Sequence, residues 1–271
     1  MAVFIDVKKE AGEKLLKQGF KKEEPRTLYE ELRLSKNGVT AILYATGTLL
    51  LQGKADAIEK AAKQLSALHI GEEKSAPSFN KETGWVIGSD ESLKGDTFGG
   101  IVVAAVKADK AIREKLAELG VADSKTLRDE EILPLAEQIK HLAPCEVQSL
   151  LPEEYNQQHG VTHLLNKLHA SAAQHLAPGK HIVDKYPGCA VGDLATEKAE
   201  SKYVEVAAAS ILARAAALQQ LNQLSAWAGF PVPKGSTHVQ DALKKLREKK
   251  LDFEKFVKID FRNVKEFLER A

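Results

Sequence analysis

Residues 85–108, "WVIGSDESLKGDTFGGIVVAAVKA", decide how the larger part of this chain folds. Two apolar runs, around Val86–Ile87 and Ile101–Val106, are too short and too rich in β-branched residues for helices, so both read as strands. Between them lies a polar, glycine-bearing connection. Downstream the pattern alternates. "KAIREKLAELG" and "DEEILPLAEQIKHL" have helical spacing, "CEVQSLL" reads as a strand, "THLLNKLHASAAQHL" as a helix and "KHIVDKY" as a buried strand. A long alanine-rich helix, about "VEVAAASILARAAALQQLNQLSAW", precedes a Lys/Glu-rich helical tail. Early strands followed by helices that alternate with single strands predict an α/β domain with a mixed sheet flanked by helices.

Toward the N-terminus the period changes. Residues 6–20 have helical spacing and end at Gly19. "TLYEELRLSKNGVTAILYATGTLLLQGK" reads as three consecutive antiparallel strands, turned at Lys36-Asn37-Gly38 and Thr46-Gly47-Thr48. "ADAIEKAAKQLSAL" is a second helix. A helix, three strands and a helix make a small α+β module with one sheet face covered and the other open. The expected organisation is therefore a binding module over residues 1–70, a polar linker over 71–83, and an α/β domain over 84–271.

The bulk composition excludes several classes. Of 271 residues, 44% are hydrophobic and 28% charged, as in a water-soluble globular protein. The net charge of +1 hides an asymmetry. Residues 1–70 hold 12 Lys/Arg against 9 Asp/Glu, a balance of +3, and the rest is left at −2. A basic front module on a slightly acidic body suits a protein that grips a polyanion with one part and metal ions with the other. The two cysteines, Cys145 and Cys189, have neither metal-ligand spacing nor a disulfide framework. No secretory leader and no membrane span is expected, which leads to a cytoplasmic assignment.

The acids carry the chemistry. Asp90 and Glu91 follow directly on the buried run, Asp184 ends the strand "HIVD", and Glu200 in "TEKAES" precedes the alanine-rich helix. Three separate segments each bring carboxylates to an element end. Such a donor set, without His or Cys, suits a hard cation such as Mg²⁺ or Mn²⁺. Two such ions roughly 4 Å apart would clamp the attacking and leaving oxygens of an in-line phosphoryl displacement. Lys94 adds positive charge, while Gly95, Gly99 and Gly100 let a phosphate or sugar approach the backbone.

Five segments in this order, "GSDESLKGDTFGGIVVAAV", "LGVADSKTL", "IVDKY", "TEKAESKYVEVAAASILAR" and "GFPVPKGSTH", resemble the ribonuclease HIII family and, more broadly, the type 2 ribonucleases H. The resemblance extends over essentially the whole chain, because that family also carries an N-terminal module similar to half of a TATA-binding protein. It implies an RNase H fold, cleavage of the RNA strand of RNA/DNA hybrids, two Mg²⁺ or Mn²⁺ ions, and a monomer. The implied metal-binding carboxylates are Asp90, Glu91, Asp184 and Glu200. Lys94, Gly95, Ser124, Lys125 and Tyr203 match substrate-contacting positions; Tyr203 packing on a sugar or filling the core are both open. Asp123 reads as structural, His238 as a turn cap, and Ser210 and Arg214 as polar tethers of the long helix.

The chain departs from the family pattern at two places. Relatives usually have Gly where this chain has Leu93, and often Pro where it has Gly100. A leucine disfavours the positive φ that the glycine loop uses toward the substrate 2′-hydroxyl. Two alternatives to hybrid cleavage stand: incision at single ribonucleotides embedded in DNA, as in ribonuclease HII, which the Lys94-Gly95 pair and Tyr203 leave open, or a hybrid-binding protein whose site Leu93 has spoiled.

Overall fold

In the computed structural model, residues 2–26, 30–45, 47–74, 79–80, 82–121 and 127–269 are described. The chain divides into two compact units, residues 1–78 with 118–120, and residues 79–117 with 121–271.

The first unit is built on strands β1 (Ala2–Ile5), β2 (Lys21–Glu23), β3 (Glu30–Lys36), β4 (Val39–Tyr44), β5 (Leu49–Gly53) and β6 (Glu72–Lys74), with helices α1 (Ala11–Lys17) and α2 (Ala55–Ala67). They form one antiparallel sheet in the order β2-β3-β4-β5-β1-β6. The sheet thus has six strands where the sequence predicts three. The additional strands are short, and two of them, "KKE" and "EEK", are charged edge strands without the apolar alternation that makes a strand legible. The strand β6 also takes residues 72–74 out of the expected linker. The first helix is shorter than its spacing suggests, because Asp6 turns left-handed at φ 56° after β1. At the β3–β4 hairpin, Asn37 and Gly38 both have positive φ, 49° and 78°, the type I′ geometry that matches strand twist. On α2, Ile58, Ala61, Ala62 and Leu65 recur at helical spacing and bury against Phe4, Leu34, Leu49 and Leu51.

The second unit contains β7 (Val86–Ser92), β8 (Ile101–Ala108), α3 (Lys110–Glu118), α4 (Asp129–Leu142), β9 (Cys145–Leu150), α5 (Pro152–Asn156), α6 (Val161–Leu176), β10 (Lys180–Asp184), β11 (Leu194–Thr196), α7 (Val204–Ala228), α8 (Gln240–Glu248) and α9 (Arg262–Glu269). Its sheet runs β11-β10-β7-β8-β9. The strands β7, β8 and β9 pair antiparallel, whereas β10 lies parallel to β7, and β11 to β10. The sheet is mixed, as the alternation of elements predicts.

Alternation along β7 assigns its side chains to two layers. Val86 packs with Ile182, Tyr203 and Val206 on the α7 face, and Ile87 with Ala172 and Ala173 on the α6 face. At Gly88 the α7 backbone lies against the strand: a Cβ there would come within 2.3 Å of Val206 N. The run Ala207–Ala209, fully buried, permits that approach.

Candidate metal and nucleic-acid site

The candidate site forms where β7 and β10, running side by side in one direction, end in acids. Because successive strand residues face opposite ways, Asp90 and Glu91 diverge. Asp90 turns to the α7 face and is 7% exposed. Its Oδ1 accepts the Glu91 N–H at 2.8 Å, and Ser210 of α7 bonds its carboxylate. Burial, with the charges of Glu91 and Asp184 beside it, holds Asp90 well above the usual carboxylate range; the two hydrogen bonds offset only part of this. Asp184, at the end of β10, accepts the Ala199 N–H at 2.8 Å. That bond ties β10 to the 3-10 turn Ala199–Ser201, on which Glu200 is buried at 3% exposure.

Glu91 has different neighbours. Its Oε1 lies 2.6 Å from Lys94 Nζ and its Oε2 3.5 Å from Nε2 of His169 on α6. Burial pushes Glu91 up, but the His169 ring facing it and the bond from Lys94 outweigh it and keep the carboxyl below its ordinary value. Asp90 is thus in electrostatic contact with Glu91 and Asp184, while Glu200 sits on the turn bonded to Asp184. Among the described residues, no three His, Cys, Asp or Glu side chains are already gathered closely enough to hold a metal ion.

The connection after β7 shows how the backbone accommodates Leu93. Leu93 adopts φ 66°, the conformation that glycine would take without strain, and its side chain is 5% exposed. Tertiary bonds offset the cost of that conformation, about 1–2 kcal/mol. The Leu93 carbonyl accepts the Asp96 N–H at 3.1 Å and Lys258 Nζ at 2.8 Å. The same ammonium also bonds the Asp96 carbonyl, and its neighbours include the rings of Tyr155 and Phe261. Lys258 is completely buried, and burial pulls its amine down to about 7 against the opposing charges of Asp96 and Asp260. Further along, Thr97 N–H donates to Gly235, and Gly235 N–H to Asp96 Oδ1. At Gly100 the N–H donates to Gln220 Oε1 at 2.7 Å, a bond that proline could not make.

The other sequence-predicted residues are distributed as follows. Lys94 and Gly95 form the tip of this connection, beside Glu91. Tyr203 is 6% exposed and lies among Val86, Ile182, Ala199 and Val206. Arg214 bonds Asp129, which also pairs with Lys234 of the "PKGSTH" segment. Ser124 and Lys125, like Asp123, lie outside the described residues. In the first unit, Arg33 is buried and forms an internal ion pair with Glu30, 3.1 Å away. Sequence reasoning missed Ser89, His169, His181 and Lys258. Their signal is weak, because Ser89, His169 and His181 stand among other polar residues and Lys258 lies in no helix or strand, and their partners lie far away in the chain.

Comparison with known proteins shows the family. A family model described as Ribonuclease HII matches residues 87–264. The curated Ribonuclease HIII of Bacillus subtilis (strain 168) is 33% identical over 266 residues, covering 83% of both chains. That of Protochlamydia amoebophila (strain UWE25) is 35% identical over 270 residues, covering 89% of this chain and 88% of its own. Among solved structures, Bst-RNase HIII crystallised with Mn²⁺ superposes with a TM-score of 0.62 at 29% identity, over 99% of each chain. The family model over residues 87–264, the curated relatives that match most of both chains and the shared fold lead to one conclusion: this chain belongs to the ribonuclease HII family, with the ribonuclease HIII enzymes as its relatives, and is a ribonuclease H.

Proposed function

We propose that the protein is an endoribonuclease that cleaves the RNA strand of RNA/DNA hybrids, leaving a 5′-phosphate and a 3′-hydroxyl. One observation carries the reading: Asp90 and Asp184 end adjacent parallel strands beside Glu91, and burial, with the charges of Glu91 and Asp184, disfavours the Asp90 anion there. An all-oxygen set that repels itself is relieved by a hard divalent cation. The Lys94 ammonium against Glu91 marks the same appetite for positive charge. The residues present therefore fit Mg²⁺ or Mn²⁺, with Asp90, Glu91, Asp184 and Glu200 as the holders. When bound, such ions would supply activation of a water and stabilisation of the leaving 3′-oxygen.

The chain's own residues supply the remainder. Asp90 and Asp184 orient the acidic site from adjacent parallel strands, and Ser210 with the Glu91 N–H fixes the Asp90 carboxylate. The Leu93–Asp96 turn presents the backbone of Lys94 and Gly95 to the ribose, which is how RNA is told from DNA through the 2′-hydroxyl. Ser124 and Lys125 are assigned to the phosphate backbone, and Tyr203 to the wall beneath the sugar. The front unit, as a substrate-binding domain, adds affinity for the duplex. The enzyme works as a cytoplasmic monomer in this reading.

The test is cleavage of a labelled RNA/DNA hybrid in Mg²⁺ and in Mn²⁺, with Asp90→Asn as control. Wild-type cutting and loss in Asp90→Asn are expected; equal cutting by Asp90→Asn removes the assignment. A duplex with one embedded ribonucleotide tests the second reading, which the match to the ribonuclease HII model favours.

A further inference from the structure

Three polar side chains outside the acids are buried where the sheet meets α6: Ser89 and His169 at 0% exposure, and His181 at 8%. Ser89 precedes Asp90 on β7, so alternation turns it to the opposite face. There its Oγ lies 2.8 Å from His169 Nδ1 and 2.8 Å from His181 Nε2. The remaining nitrogen of His169, Nε2, faces Glu91 Oε2 at 3.5 Å, and neither atom has a hydrogen-bond partner of normal length. The far end of the row is fixed by the backbone: His181 N–H donates to Asp193 Oδ2 at 2.7 Å, and Asp193 N–H returns to the His181 carbonyl at 2.8 Å.

We infer that His169 is a positioning residue for Glu91: its Nε2–H is aimed at the Glu91 carboxylate, and Ser89 and His181 hold the ring in that orientation. The inference rests on the proposed role of Glu91 as a holder of the cation. Donor counting sets the protons. A carboxylate only accepts, so the proton between Nε2 and Oε2 belongs to the imidazole whatever charge the ring carries. In a neutral ring Nδ1 then only accepts, and Ser89 Oγ–H donates to it. Ser89 has no second proton, so the bond to His181 has His181 Nε2–H as donor. Burial, with His169 beside it, takes His181 down to about 4, which agrees with a neutral ring at that end. A histidine–carboxylate pair of this kind orients a metal ligand from behind.

The other groups near the row are few. Lys94 bonds the opposite Glu91 oxygen, and the Tyr186 ring lies 5.2 Å from the His169 ring, its hydroxyl engaged by Asn166. Neither reaches Nε2, so Glu91 is the acceptor that the ring addresses.

The full-length protein labelled with ¹⁵N-histidine, read by long-range ¹H–¹⁵N NMR, tests the geometry. Protonated Nε2 on His169 is expected, and an unprotonated Nε2 overturns the inference. Calorimetric titration with Mn²⁺ tests the consequence. His169→Leu and Ser89→Ala are expected to weaken Mn²⁺ binding roughly 10-fold or more. His169→Gln, whose amide N–H reaches the Nε2 position, recovers most of that loss. Melting temperatures taken alongside separate positioning from packing: variants that melt earlier but keep wild-type Mn²⁺ affinity overturn the inference. Asp90→Asn distinguishes the two levels. If wild type binds no Mn²⁺, or Asp90→Asn binds it equally well, the metal reading itself fails. If Asp90→Asn loses binding and His169→Leu does not, only the role of His169 fails.

Discussion

Leu93 illustrates how a single residue can depart from its family's pattern without the backbone following. The turn keeps the left-handed geometry at φ 66°, because the leucine side chain is buried and Lys258 holds its carbonyl. Leu93→Gly would relieve about 1 kcal/mol of backbone strain but lose a buried side chain worth roughly 2–5 kcal/mol. Net destabilisation is therefore expected, measured as a lower denaturation midpoint. A higher midpoint would mean that the strain outweighs the burial. Lys258 makes a second residue-scale prediction. Its folded-state pKa of about 7 lies below the unfolded lysine value of 10.5, so the unfolded chain binds the extra proton between those limits. Stability attributable to this group therefore rises with pH from about 7 toward 10, by at most about 1.4 kcal/mol per pH unit. Lys258→Met should flatten that slope in denaturation series at pH 6.5, 8 and 9.5, whereas an unchanged slope would assign it elsewhere.

At the scale of elements, the long helix α7 is what brings the site together. Its small residues let its backbone touch Gly88, two residues before Asp90, and Ser210 reaches Asp90 from the same helix. Gly88→Ala would place a Cβ 2.3 Å from Val206 N, which is backbone and cannot turn aside. Such overpacking is expected to cost more than about 3 kcal/mol and to displace Asp90, seen as joint loss of melting temperature and activity. The helix start is fixed by a buried ion pair between Glu205 and Arg113, whose guanidinium also bonds the Glu82 and Gly84 carbonyls. Burial raises Glu205 in spite of that partner, so removing the partner leaves a costly group behind. Arg113→Ala should destabilise by about 3–5 kcal/mol. Urea denaturation of Arg113→Ala and of the double variant with Glu205→Gln would check it, since the second change should recover part of the loss.

For the whole molecule, division of labour between two units makes the next prediction. Removing residues 1–78 should weaken hybrid binding while changing single-turnover cleavage of bound substrate much less. Equal affinity without the front unit would refute its substrate-binding role. Mn²⁺ should raise the melting temperature of the full chain by mass action, because binding favours the native state, and Asp90→Asn should abolish that rise.

Much of this was legible in the residues. Apolar periodicity located the β7–β10 framework, α6 and α7, and the position of acids after apolar runs marked Asp90, Glu91 and Asp184 as strand-end groups. Charged edge strands escaped, since a strand paired on one side needs no apolar alternation. What the residues alone dictate is the longer strands and helices of the second unit, the order of the family motifs, and that adjacent Asp90 and Glu91 face opposite sides of a strand. What each acid meets follows from the packing of distant elements. Ser210 for Asp90, His169 for Glu91 and Lys258 for the Leu93 turn lie 120, 78 and 165 residues away in the chain. Local propensity acts over a few residues, whereas a buried polar group takes its partner from whatever the fold packs against it.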